Sequence, residues 1–141
     1  MDTNSRKTVT VGTYISKPLK QVWDLWTDPE HIKQWNFANE DWHCPSAVNE
    51  LKRGETFMWR MESKDGKEGF DFKGVYEKII PNESIVKRLD DGRQVVISFT
   101  KLDHGTKVTE TFEADDQSSI DVQRQGWQAI LDNFKNYAGV H

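Results

Sequence analysis

Apolar residues recur at helical spacing along the end of the chain, Ser118–Ala138. The positions three, four or seven residues apart are Ile120, Trp127, Ile130, Leu131, Phe134, Tyr137 and Ala138. Ser118 and Asp121 resemble a capping box at its start. Gly126 indicates a packing or cavity constraint, because glycine inside a helix costs up to ~1 kcal/mol relative to alanine. The pattern predicts one amphipathic helix roughly 30 Å long, at ~1.5 Å per residue.

Most of the preceding chain alternates apolar and polar residues with a period of two. These segments are rich in β-branched and aromatic residues, and Asp-Gly or His-Gly pairs separate several of them, as in β-hairpins. The predicted strands are Thr8–Ile15, a shorter strand around Ala47–Leu51, Thr56–Ser63, Gly69–Ile80, Ser84–Leu89, Arg93–Leu102 and Thr106–Ala114. This order predicts an antiparallel meander.

Two short helices are predicted directly after the first strand. Ser16–Pro18 suits the start of the first helix, and Thr27–Pro29 suits the start of the second. The next segment, Asn36–Ala47, has no regular period and is predicted to be a loop. Because it carries Phe37 and Trp42, this loop is expected to pack on, or cover, another part of the molecule.

The element order predicts an α+β fold. A curved antiparallel sheet of about six to seven strands would bury its apolar face against the long C-terminal helix, since an amphipathic helix after a run of strands must pack on them. A chain of 141 residues suits a single domain, residues 1–141. Residues 1–7 are polar and are expected to be frayed.

Composition narrows the functional classes. Six Trp, seven Phe and three Tyr could form a core or line a ligand cavity. The net charge of −4 argues against binding to nucleic acid or to anionic membranes. No apolar run approaches the ~20 residues of a membrane span, and the first residues lack the apolar core of a signal peptide. With Cys44 as the single cysteine, these features favour a cytoplasmic protein without membrane insertion.

Four segments carry a more specific resemblance. They are VWDLWTDPEHIKQW (Val22–Trp35), GFDFKGVYEKIIPNESI (Gly69–Ile85), DGRQVVISF (Asp91–Phe99) and QRQGWQAILDNFKNY (Gln123–Tyr137). Over nearly its whole length the chain resembles the homologues of the activator of the heat-shock-protein-90 ATPase, of the bacterial single-domain type. That family lies within the START/SRPBCC, or birch-pollen-allergen-like, superfamily.

The resemblance implies the helix-grip fold and a cavity between the sheet and the C-terminal helix. It does not imply a reaction, because related folds host different functions. The eukaryotic co-chaperone that gives the family its name carries an additional N-terminal domain that contacts the chaperone. Since this chain shows no such domain, at most a weak chaperone contact is expected.

Apolar residues and one carboxylate are predicted to line the cavity. These candidates are Trp35, Phe37, Trp42, Trp59, Phe72, Tyr76, Phe99, Glu110, Trp127 and Ile130. Trp35, Phe37 and Trp42 are predicted to form a mobile entrance, because they precede or occupy the irregular loop. Trp23 and Trp26 are assigned to packing.

Glu110 shares the strand face of its apolar neighbours, and two interpretations remain open. A carboxylate in a core is costly unless it is paired or reaches water. Glu110 is therefore either a polar anchor in the cavity, paired with Arg60, Arg88 or Arg93, or a residue turned outward at a sheet end or bulge. Arg60 is equally ambiguous, because its own strand is apolar on both faces.

Three functional classes follow. The leading hypothesis is a non-catalytic module that binds a small apolar or aromatic ligand. The alternatives are a cyclase- or hydrolase-type enzyme that uses Glu110 with Tyr76 or an arginine, and a co-chaperone-like interaction domain. No nucleophile–base pair, phosphate-binding loop or metal signature is present, and His31, His43 and Cys44 lack further ligands at suitable spacing. No metal, cofactor or catalytic residue is therefore assigned. A cavity of ~300 Å³ or more would favour binding.

Overall fold

The computed structural model describes residues 6–141, so the expectation for residues 1–7 lies mainly outside it. Within that range, seven strands and three helices are present. The strands are β1 Thr8–Ile15, β2 Trp42–Asn49, β3 Thr56–Ser63, β4 Gly69–Ile80, β5 Ser84–Leu89, β6 Gln94–Leu102 and β7 Gly105–Glu113. The helices are α1 Leu19–Thr27, α2 Pro29–Trp35 and α3 Ile120–Gly139.

The strands form one curled antiparallel sheet in the order β1-β7-β6-β5-β4-β3-β2. Strands β2 to β7 pair in chain order as an antiparallel meander. β1 pairs with β7, at the edge of the sheet opposite β2. The three helices cover one face, here called the inner face. The α+β helix-grip fold predicted from the sequence is confirmed.

The prediction of an irregular loop over Asn36–Ala47 is wrong for its second half, which forms a strand. β2 begins at Trp42, and its pairing with β3 shifts register at His43–Ser46. This bulge contains Pro45 and hides the two-residue period that identifies a strand. β2 is an edge strand, where a proline without an N–H group is tolerated. The short strand predicted around Ala47–Leu51 is the end of this longer one.

The helix starts differ from the predicted caps by small shifts. The N-cap of α3 is Ser119 instead of Ser118, and its Oγ accepts a hydrogen bond from the backbone N–H of Val122 at 3.1 Å. α1 begins after Pro18 without a side-chain cap, whereas Asp28 caps α2 through its carboxylate. The remaining element boundaries agree with the sequence predictions to within two residues.

The C-terminal half of α3 is bound tightly into the core. Leu131, Phe134 and Ala138 are fully buried, and the Phe134 ring makes edge contacts with Trp26 and Trp35 at centroid distances of 4.9 and 4.8 Å. Apolar residues in the N-terminal half of α3 are partly buried or exposed. The C-terminal half of α3 is therefore packed into the core, whereas its N-terminal half crosses over the sheet.

Gly126 lies in this N-terminal half without a steric reason for being glycine. A Cβ built there would meet no atom within 4 Å, so the packing constraint expected from the sequence is absent. Gly74 in β4 is different, because a Cβ there would lie 2.1 Å from the carbonyl oxygen of Arg88.

We predict that Gly126→Ala raises the free energy of unfolding by about 1 kcal/mol, because alanine loses less conformational freedom in a helix interior. Chemical denaturation measures this change. Gly74→Ala is the matched comparison and should lower stability. A loss of stability in Gly126→Ala would contradict the assignment of open space at this position.

Candidate functional site

A cavity of about 240 Å³ lies between the inner face of the sheet and the N-terminal half of α3. Its apolar lining consists of Trp26, Trp35, Trp59, Met61, Phe70, Phe72, Trp127 and Ile130. Its polar lining consists of Asn36, Lys87, Arg93, Glu110 and Asp115. This volume is below the ~300 Å³ that would favour ligand binding. It exceeds the ~150 Å³ that holds benzene in an engineered cavity.

The cavity brings together part of the set predicted from the sequence. The predicted residues that line it are Trp35, Trp59, Phe72, Glu110, Trp127 and Ile130. Trp127 stacks on Phe112 with a centroid distance of 4.1 Å and an interplanar angle of 11°. It also meets the edge of Phe72 at 6.1 Å. The α3 side of the cavity is thus held in place by ring contacts to the sheet.

Phe99 and Tyr76 do not line this cavity, which corrects their assignment. The buried ring of Phe99 lies under α1 and contacts Trp23 at a centroid distance of 5.1 Å. The Tyr76 hydroxyl donates a hydrogen bond to the side-chain oxygen of Asn49, and its ring packs on Phe57. Burial raises the pKa of Tyr76. Strand alternation identified their face correctly but did not indicate where along the sheet the cavity lies.

The predicted entrance is also corrected. Trp35 is fully buried, and its indole N–H donates to the carbonyl of Leu25 at 3.0 Å, so it lies at the floor of the cavity. Phe37 and Trp42 are partly buried outside the lining, and Trp42 packs on Phe70 at 5.9 Å. Phe70 is 51% exposed and does line the cavity. Phe70 therefore lies at the rim.

Several lining residues were not among the sequence candidates. Met61 and Phe70 follow the alternation of Trp59 and Phe72, so the same signal could have found them. Trp26 was assigned to packing, and it both packs in the core and lines the cavity. Asn36 and Asp115 lie outside regular elements, where no periodic signal exists. Arg93 is considered from the sequence only as a partner of Glu110, and Lys87 in β5 is not among the sequence candidates.

Lys87 is the most consequential of these residues. It is only 2% exposed and lies on the inner face of β5, between Ile85 and Leu89 in the alternation. Its Nζ atom lies 4.2 Å from a ring centroid of Trp59, 4.5 Å from that of Phe57 and 5.1 Å from that of Phe72. Ring faces attract a cation, so these three side chains form an aromatic box around the Lys87 ammonium.

Glu110 lies on the inner face of β7 and is 5% exposed. The outward-facing interpretation does not hold, because Glu110 sits in regular register opposite Val11 on β1 and Ile97 on β6. Its carboxylate lines the cavity. Burial raises the pKa of Glu110 to about 7, and the positive charge of Lys87 opposes this rise.

None of the three arginines proposed as partners pairs with Glu110. Arg60 and Arg88 alternate with buried inner-face residues, so they point to the opposite face of the sheet. Arg93 lies in the turn before β6 and reaches the rim of the cavity. Their ion-pair partners are Glu62 and Asp71 for Arg60, Glu77 for Arg88, and Asp91 and Asp115 for Arg93.

Lys87 and Glu110 influence each other through their charges without direct contact. Within residues 6–141, no ion pair within 4.0 Å joins them, and neither charged group hydrogen-bonds another residue. Neither is among the fully buried polar atoms without a partner, so the charged atoms remain accessible from the cavity. Burial lowers the pKa of Lys87 to about 8, and the negative charge of Glu110 opposes this fall. Both groups therefore face the cavity with unused hydrogen-bonding capacity.

The three residues considered as metal ligands do not form one cluster. His31 Nδ1 is 2.6 Å from the Tyr137 hydroxyl, His43 Nε2 is 4.0 Å from a Glu62 oxygen, and Cys44 is buried on β2. Across the described residues, no group of three or more His, Cys, Asp or Glu side chains could hold a metal ion. No helix in the same range is long and apolar enough to cross a membrane.

Comparison with known proteins identifies the family. Residues 16–139 match the family described as "Activator of Hsp90 ATPase homolog 1-like protein". The chain belongs to this family, which confirms the resemblance seen in the sequence. A fold of this family supports a ligand-binding or co-chaperone-like module. No curated protein matches the chain.

Solved structures share the architecture. The AHSA1-like protein from Aeromonas hydrophila is 36% identical, with a TM-score of 0.90 over 95% of this chain and 93% of that chain. A protein from Cytophaga hutchinsonii is 40% identical, with a TM-score of 0.79 over 94% of this chain and 90% of that chain. A protein from Chromobacterium violaceum is 19% identical and shares the fold, with a TM-score of 0.82 over 92% and 96% of the two chains.

We predict that Lys87→Met raises the pKa of Glu110 further above its ordinary value. Removing the lysine leaves the carboxyl buried but takes away the positive charge that favours ionisation. Carbon-detected NMR titration of the Glu110 carboxyl measures the shift. Lys107→Met, which removes an exposed lysine of β7, is the control and should leave this pKa unchanged. A Glu110 pKa that stayed constant or fell in Lys87→Met would show that the two charges do not interact.

Proposed function

We propose that this protein is a non-catalytic module that binds a small apolar or aromatic ligand in the cavity between the sheet and α3. The observation that carries the proposal is a mostly apolar cavity lined by two charged residues, Lys87 and Glu110, that form no hydrogen bond or ion pair with residues 6–141. Ligand sites typically combine an apolar lining with a few placed polar groups.

The size of the cavity limits the ligand. Since ~150 Å³ holds benzene, about 240 Å³ suits one substituted ring or two fused rings. The aromatic side chains of Trp59, Phe72 and Trp127 in the lining favour a planar aromatic molecule, because offset stacking and edge contacts stabilise aromatic pairs.

The enzymatic alternative has less support. A general acid or base works with a second group near the reacting atom. Tyr76, the partner considered from the sequence, hydrogen-bonds Asn49 and lies outside the cavity lining. The arginines considered with it are engaged by other carboxylates. Glu110 thus has a raised pKa, but none of the described residues offers it a second group within hydrogen-bonding distance.

A cavity-filling variant tests the binding function. We predict that Ile130→Trp weakens the binding of indole at least tenfold, because the larger side chain occupies the cavity under α3. Shifts of the tryptophan side-chain N–H signals in NMR titrations report binding. Val122→Trp, at an exposed position of the same helix, is the matched control and should bind indole as the wild type does. Equal binding in the wild type and Ile130→Trp would place indole outside this cavity and argue against the proposal.

A chaperone contact is the second candidate, favoured by the family description. Val48 and Met58 are neighbours across β2 and β3 and are 52% and 39% exposed, a pair that a partner could cover. This pair is small beside the ~800 Å² that each partner buries in a standard interface.

We therefore predict that a molar excess of this protein raises ATP hydrolysis by a bacterial Hsp90-type chaperone less than twofold. A coupled ATPase assay measures the rate. A several-fold stimulation that is lost in Met58→Glu would move the chaperone contact to first place.

A further inference from the structure

The chemistry of the cavity's two charged groups restricts its ligand beyond size and flatness. An ammonium group only donates hydrogen bonds, whereas a carboxylate only accepts them. Lys87 and Glu110 are both more than nine-tenths buried, and both line the cavity. A ligand that fills the cavity covers both charged groups, and leaving either without a hydrogen bond there is costly, so a molecule that satisfies both at once is favoured.

The positions of the two residues suit a single small polar group between them. Lys87 on β5 faces Val95 on β6, and Glu110 on β7 faces Ile97 on the same strand. One strand therefore separates them, and they are too far apart for an ion pair within 4.0 Å. Their charges nevertheless alter each other's ionisation. A ligand group that is an acceptor on one side and a donor on the other can bridge them.

Charge balance selects among the possible ligand groups. Ionised Lys87 and Glu110 sum to zero, so a neutral ligand group leaves the balance unchanged. A ligand carboxylate would be attracted by Lys87 but repelled by Glu110, and a ligand ammonium would experience the reverse. The aromatic box favours the charged form of Lys87 and so preserves its role as a donor.

We infer that the cavity selects a neutral, planar one- or two-ring compound in which a carbonyl oxygen lies next to an N–H or O–H group, as in a cyclic amide. Lys87 donates to the carbonyl oxygen and Glu110 accepts from the adjacent N–H or O–H. The aromatic walls hold the ring. This inference rests on the proposed binding function and specifies its ligand class.

Three probes of similar size test the inference on the wild-type protein by NMR titration at a pH between about 7 and 8, where Glu110 and Lys87 are both mostly ionised. Quinolin-2(1H)-one carries both polar groups, its N-methyl derivative keeps only the carbonyl, and naphthalene has neither. We expect quinolin-2(1H)-one to bind at least tenfold more tightly than either of the other two. Naphthalene-2-carboxylate should bind more weakly than quinolin-2(1H)-one.

Two variants assign the contacts. Glu110→Met should abolish the preference for quinolin-2(1H)-one over its N-methyl derivative. Lys87→Met should abolish the preference for the N-methyl derivative over naphthalene. Lys107→Met and Glu83→Gln, at exposed positions, are the controls and should retain every preference. The probe series on the wild type remains decisive if a variant does not fold.

The outcomes separate this inference from the proposed function. If naphthalene and quinolin-2(1H)-one bind equally, the polar pair does not select the ligand, and the inference is wrong while the cavity still binds apolar rings. Tighter binding of the carboxylate would also overturn the inference. If none of the probes binds, the inference and the proposed function both fail.

Discussion

The contact of Phe134 with Trp26 and Trp35 is the packing interaction on which the site depends. These three rings fasten the C-terminal half of α3 to the two short helices. Large aromatic side chains bury much apolar surface, so this end of the helix is strongly held. The distance between the sheet and the N-terminal half of α3 is then set by this aromatic cluster. Because Trp127 and Ile130 do not fill the space beneath it, the cavity remains.

The charged pair inside this cavity has no evident structural purpose. Replacing a buried ionic pair with apolar residues is often neutral or stabilising. Since burial raises the pKa of Glu110, its contribution to stability falls as the pH rises from about 4.5 to 7. The lowered pKa of Lys87 acts in the other direction, and stability recovers from about pH 8 to 10.5. The native state thus carries its largest cost near neutral pH, which is consistent with a binding role for the pair.

Much of the site was visible in the alternation of single strands. The same period that placed Glu110 on the inner face of β7 also places Lys87 on the inner face of β5. The sequence does not single out Lys87, because a charged residue in a short hairpin strand is usually solvated, and only the neighbouring strands show that aromatic rings surround it. The alternation of the strands also places Arg60 and Arg88 on the opposite face, away from Glu110.

The sequence by itself determined the order of the elements, most of their boundaries, the family and the face on which each strand residue lies. These properties are local, because periodicity and turn chemistry act over a few residues. Only the tertiary structure decided which part of the inner face remains unfilled, that Trp35 forms a floor instead of an entrance, and that β2 continues through a bulge. Those features depend on where α3 crosses the sheet and on pairing between distant strands. Neither is encoded in the period of any one segment.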